Sequence, residues 1–167
     1  RRSSGTGPPA LPVLFLTSGE GNVRYFVDTE FEEYGARKPI RLISIGIVAE
    51  DGREYYAEVC GVDLWIESDW INDNVLKHLI GGDAQKRYLE IAPDIKRFIG
   101  DDPEPEFWGY YCDYDYVVFA NIFGGIAGWP KGWPYLFYDL RQALDFLGLL
   151  SVKQDDAAPH NALDDAR

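Results

Sequence analysis

The 167-residue chain contains no methionine and only two cysteines. Without a methionine, Arg1 is not a natural translation start, so the sequence reads as an excerpt. Cys60 and Cys112 have neither paired spacing nor a neighbouring histidine. That excludes a disulfide framework and a zinc site, and it fits a reducing, cytoplasmic setting. No apolar stretch approaches the length of a membrane span. Arg1 and Arg2 precede an apolar run from Ala10 to Leu16, but Pro12 interrupts it and no small-residue cleavage site follows, which argues against a secretion signal. Basic residues are also scarce: 16 Lys and Arg face 28 Asp and Glu, for a formal net charge of -12. A broad cationic surface for nonspecific nucleic-acid binding is therefore missing. Nuclease chemistry is not thereby excluded, because carboxylates that bind metal add to the negative total and a bound divalent pair reverses the sign locally.

With 46% apolar residues, the chain is long enough for one domain with a proper core. Residues 1–22, rich in Gly, Pro and Ser, read as a flexible tail ahead of a domain over 23–167. Val23 to Asp28, Ile40 to Ala49 and Arg53 to Val59 read as strands, the last two joined by the hairpin signal Asp51-Gly52. Trp70 to Leu79 has helical spacing, and a second helix is expected from Pro93, suited to a first helical position, through Phe98, with Gly100 ending it. Glu106 to Tyr111 then reads as a strand, Asp115 to Phe123 as a helix, Tyr135 to Tyr138 as a strand and Leu140 to Leu147 as a helix. An antiparallel meander followed by βαβα units implies an α/β fold with a mixed central sheet of about five strands flanked by helices. In such sheets active sites gather at the carboxyl ends of strands, where Asp28, Glu30 and Asp115 are expected.

The chemistry-bearing residues form three clusters: Asp28-Thr29-Glu30-Phe31, Asp113-Tyr114-Asp115-Tyr116, and His160-Asn161-Ala162-Leu163-Asp164-Asp165. Strand alternation puts Asp28 and Glu30 on one side of the backbone, a pair able to hold a hard cation. Asp113 suits a helix cap, and Asp115, in the first turn, can face Asp28 across the sheet end, although the helix dipole favours an acid there without any catalytic role. In the third cluster His160 and Asp164 would share one face of a continuous helix, but Pro159 suggests a helix beginning there or slightly later. His160 then lies on a loop, Asp164 is solvated and Asp165 is free to bind metal. Gathering four carboxylates is costly unless Mg²⁺ or Mn²⁺ sits among them. A calcium loop around Asp113 and Asp115 fails on spacing, lacking the glycine at its sixth position and having Gly124 where a bidentate Glu belongs.

These residues resemble the DEDD superfamily of 3'-5' exonucleases, in the subgroup whose last motif carries a histidine. Val27 to Phe31 is similar to its first motif, Tyr114-Asp115-Tyr116-Val117 to its second, and His160 to Ala166 to its third. Leu42 to Ala57 further resembles a compact mycobacterial-type exoribonuclease family related to oligoribonuclease and ribonuclease T. The resemblance implies a ribonuclease H-like fold, two metal ions on Asp28, Glu30, Asp115 and Asp165, and His160 as general base. It also implies RNA 3' ends as substrate, with single-stranded DNA the alternative, release of nucleoside 5'-monophosphates, and homodimers. Relatives continue the final helix past Arg167. Thr29 and Phe31 are expected to touch substrate, with Phe31 against the terminal base. Stacking surfaces would come from among Trp65, Trp70, Trp108, Trp129 and Trp133, most of which go to the core. Arg37, Lys38 and Arg41 are candidate phosphate contacts. A module that keeps the fold but has lost turnover is the competing class.

Overall fold

A computed structural model describes residues 22–35, 38–149 and 160–167. The expected tail, apart from Asn22, and the candidate phosphate contact Arg37 lie outside the described residues. Among the described residues six strands form one mixed sheet: β1 (Arg24–Glu32), β2 (Arg41–Ala49), β3 (Glu54–Val59), β4 (Gln85–Lys86), β5 (Glu106–Gly109) and β6 (Phe137–Asp139), in the order β4-β3-β2-β1-β5-β6. β2 pairs antiparallel with β1 and β3, whereas β4 joins β3, β5 joins β1 and β6 joins β5 in parallel. Every strand but β2 therefore points the same way, and their carboxyl ends gather on one side of the molecule.

Among the described residues five α-helices flank the sheet: α1 (Asp69–Asn74), α2 (Tyr88–Ile99), α3 (Asp113–Ile122), α4 (Leu140–Phe146) and α5 (Ala162–Ala166). Alternation along β1 and β2 sends Tyr25, Val27, Ile45 and Ile47 into the main core, where Ile91, Ile95 and Ile99 of α2 and Val118 and Phe119 of α3 meet them. The opposite face carries a smaller cluster of Ile43, Val62, Ile71 and Val75 beneath α1. Asp28 and Glu30 leave β1 on that second side, opposite Gly46 and Ser44 of β2.

The expected α/β architecture is present, with differences at the boundaries. β1 runs on to Glu32 instead of closing at Asp28, because its later residues keep an antiparallel partner in β2 across a register shift at Glu30/Phe31. The segment from Trp70 to Leu79 divides: α1 ends at Asn74 and a 3-10 turn covers Leu76–His78. α2 starts at Tyr88, so Pro93 lies inside the helix and not at its first position. Reciprocal bonds fix that earlier start, with the Glu90 carboxylate accepting from the Arg87 N–H at 2.9 Å. Burial of three isoleucines in α2 offsets the hydrogen bond that proline cannot make. The two-residue strand β4 has no readable pattern of its own.

Candidate metal centre

β5 pairs with β1 only over Arg24 to Phe26, leaving the next stretch of β1 without a strand on that side. The chain turns away at Gly109, where a Cβ would lie 2.5 Å from that of Cys112. Asp115, in the first turn of α3, occupies the vacated edge. Its Oδ1 accepts the Thr29 N–H at 2.9 Å and the Thr29 hydroxyl at 2.6 Å. One oxygen of Asp115 is thus committed to β1, and Oδ2 has no such bond to Thr29. Thr29, expected to touch substrate, is 5% exposed with its hydroxyl on this carboxylate. Asp113 does not cap α3: the N-cap is Cys112, whose N–H donates to Asp139 Oδ2 at 3.0 Å.

The third cluster reaches the sheet through α5. The Asn161 side chain accepts from the N–H groups of Leu163 and Asp164 at 3.1 and 3.3 Å, so the helix begins after His160, as Pro159 suggested. His160 and Asp164 are exposed, and Asp164 pairs with Arg167 at 2.7 Å. α5 crosses β2 at Gly46, where a Cβ would stand 2.2 Å from the Ala162 carbonyl oxygen. Gly46 is directly opposite Asp28, so the missing side chain is what lets the Asp165 helix approach the first motif. Ligand atoms of Glu30, His160 and Asp165 consequently all lie within 4.8 Å of one another. His160 Nδ1 is 4.0 Å from Glu30 Oε1, and the imidazole meets Trp70 edge-on at 5.1 Å.

Electrostatics tie the remaining acids to this trio. Burial raises the Asp28 carboxyl well above its ordinary range, and the charges of Asp115, Glu30 and Asp165 push it further. Glu30 is raised to about 7, by burial first and then by Asp165 and Asp115. Burial also raises Asp115, against the lowering effect of the Thr29 bonds, and Asp165, against the Asn161 backbone and the nearby His160. Four acids crowded with one imidazole fit a hard divalent cation, which relieves the repulsion and is served by oxygen donors. Glu30, His160 and Asp165 suffice to bind one such ion.

Trp108, Trp129 and Trp133 are buried, Trp65 is half-buried under the Arg41 guanidinium, and Trp70 is 56% exposed beside His160. Phe31 stacks on Tyr114 at 5.5 Å and an interplanar angle of 12°. Lys38 is paired with Glu67. Sequence reasoning missed Gly46, a lone glycine in an apolar strand, and Asn161, whose fitness as an N-cap ahead of Ala162 was legible.

Residues 23–167 match the 3'-5' exoribonuclease Rv2179c-like domain. The 3'-5' exoribonucleases of Mycobacterium tuberculosis strains CDC 1551 and H37Rv are each 36% identical to this chain over 149 residues, covering 87% of it and 88% of their own length. A family B DNA polymerase from the hyperthermophilic archaeon Pyrobaculum calidifontis superposes with a TM-score of 0.44 at 16% identity, over 91% of this chain and 18% of its own. From the matched domain and the two mycobacterial relatives, the chain belongs to the Rv2179c-like 3'-5' exoribonuclease family of the DEDD, ribonuclease H-like superfamily.

Proposed function

We propose that this protein is a divalent-metal-dependent 3'-5' exoribonuclease that releases nucleoside 5'-monophosphates. The observation that carries the reading is the convergence of Glu30, His160 and Asp165 within 4.8 Å of one another, beside a half-buried Asp28 whose charge Asp115, Glu30 and Asp165 oppose. Asp28, Glu30, Asp115 and Asp165 would hold two Mg²⁺ or Mn²⁺ ions. When bound, such ions neutralise phosphate charge and favour formation of the attacking hydroxide. His160 serves as general base: it is exposed, so its ring can reach a water, and the edge contact with Trp70 limits its rotation. Asp115 offers Oδ2, since Thr29 occupies Oδ1. The exposed Trp70 and the Phe31–Tyr114 stack supply faces for the last bases of a single strand, and Arg41, exposed at the start of β2 with its guanidinium over Trp65, is the candidate contact for a following phosphate.

Digestion of matched RNA oligomers labelled at either end tests this reading. With Mn²⁺, the 5'-labelled strand should shorten stepwise while the 3'-labelled strand yields labelled mononucleotide at once, and EDTA should stop both. Faster loss of the matching DNA oligomer would assign the activity to single-stranded DNA. No shortening, with an Asp28→Ala variant binding RNA as well as the parent, would identify a binding module without turnover.

A further inference from the structure

Glu58 is a carboxylate next to the last residue of β3, with 0% exposure. A buried charge is costly unless its oxygens are filled by donors, and an apolar residue there would serve the sheet as well. Its donors are the Tyr56 hydroxyl at 2.9 Å and the N–H groups of Ile80 and Gly81, the latter at 3.0 Å. Apolar packing does little for this turn: Leu79 touches the small cluster, but Ile80 is 68% exposed and Gly81 is a left-handed glycine with φ 73°. Two residues before Ile80, the His78 carbonyl accepts the Asn161 side-chain N–H at 3.2 Å. Asn161, itself 7% exposed, spends its other side-chain atom on the first turn of α5, and its own carbonyl accepts the Asp165 N–H at 3.0 Å. Five residues are too few for a helix to hold itself. Ala162 packs over Gly46 and Arg167 pairs with Glu54 at 2.8 Å, while Asn161 fixes the first turn of α5 and ties it to the His78 carbonyl.

We propose that the turn from His78 to Gly81, anchored on Glu58, is the seat that holds the His160–Asp165 segment against the sheet, making Glu58 and Asn161 positioning residues for the metal centre. The inference rests on reading that centre as a metal site. The link to Glu58 is indirect, running from its carboxylate through the turn's backbone to Asn161 and on to Asp165. Fixing a short turn in this way places Asp165 opposite Asp28 without relying on the length of α5.

Glu58→Gln and Asn161→Ser variants of the full chain, and the double variant, separate this role from simple stability. Serine keeps an acceptor for the first N–H groups of α5 but cannot reach the His78 carbonyl. Hydrogen exchange on 162–166 and Mn²⁺ affinity by calorimetry are the readouts. Each single variant should weaken Mn²⁺ binding by about tenfold, the scale of an outer-shell loss. Each should also speed exchange in α5 while β1 and β2 stay protected, and the double variant should be no worse than either single one. Wild-type behaviour of Asn161→Ser, or faster exchange spread evenly over the sheet, would overturn the proposal. If Glu58→Gln does not fold, Asn161→Ser alone decides. The exchange arm needs neither metal nor RNA, so a parent protein that leaves RNA intact sinks the exoribonuclease reading and not this one.

Discussion

Asp28 sits where the folded chain would be more stable without a charge, since burial and three carboxylates all oppose its ionisation. Asp28→Asn should therefore raise the thermal stability of EDTA-treated protein, a gain on the order of 1 kcal/mol, while Mn²⁺-dependent RNA shortening disappears. Calorimetric melting and the end-labelled digestion check the two halves. Thr29 offers a finer test. With its hydroxyl 2.6 Å from Asp115 and its side chain buried, Thr29→Val should weaken Mn²⁺ binding by about tenfold, and Thr29→Ser should restore it. A Thr29 acting on substrate alone would instead change KM for RNA and leave metal affinity as it was.

Between elements, the decisive contact is α5 on β2. A side chain at Gly46 would overlap the Ala162 carbonyl, and the obstruction is backbone, so Gly46→Ala must displace the helix or bend the strand. Mn²⁺ affinity should fall by about tenfold or more, and melting should report a loss of about 1–3 kcal/mol, the usual cost of overpacking. Unchanged Mn²⁺ binding would mean that α5 sits elsewhere. The hairpin β2–β3 and the alternation of β1 were legible because residues that bury one sheet face repeat every second position. The start of α2 was not, because Pro93 suggested a boundary while the bonds between Arg87 and Glu90 set it at Tyr88.

Over the whole molecule, the crowded acids should make stability depend on pH in a direction opposite to most salt-bridged proteins. Glu30 has its pKa raised from 4.5 to about 7, so the unfolded chain releases its proton first as pH rises. The folded state then binds more protons than the unfolded, and stability falls between those two values. With a side chain 13% exposed, Glu30 alone accounts for a change on the order of 3 kcal/mol. Asp51, Glu54 and Glu90, whose pKa values are lowered by arginine partners, act only below that window. Melting of EDTA-treated protein should show the decline from pH 4.5 to 7, and Mn²⁺ should raise Tm far more at pH 7.5 than at pH 5. Among the described residues no helix is long and apolar enough to cross a membrane.

The sequence by itself determined the candidate residues for the chemistry: an acid pair on one side of a strand, an acid in a helix's first turn, and a histidine left outside a final helix by Pro159. Each is a local pattern, set by period and by capping. Only the tertiary structure decided that they meet. Asp115 reaches Thr29 because β5 stops short beside β1, and Asp165 reaches Glu30 because Gly46 leaves room for α5. Those contacts join residues scores of positions apart, and no local propensity specifies which backbone edge will be free or which carbonyl will need the space of a missing side chain.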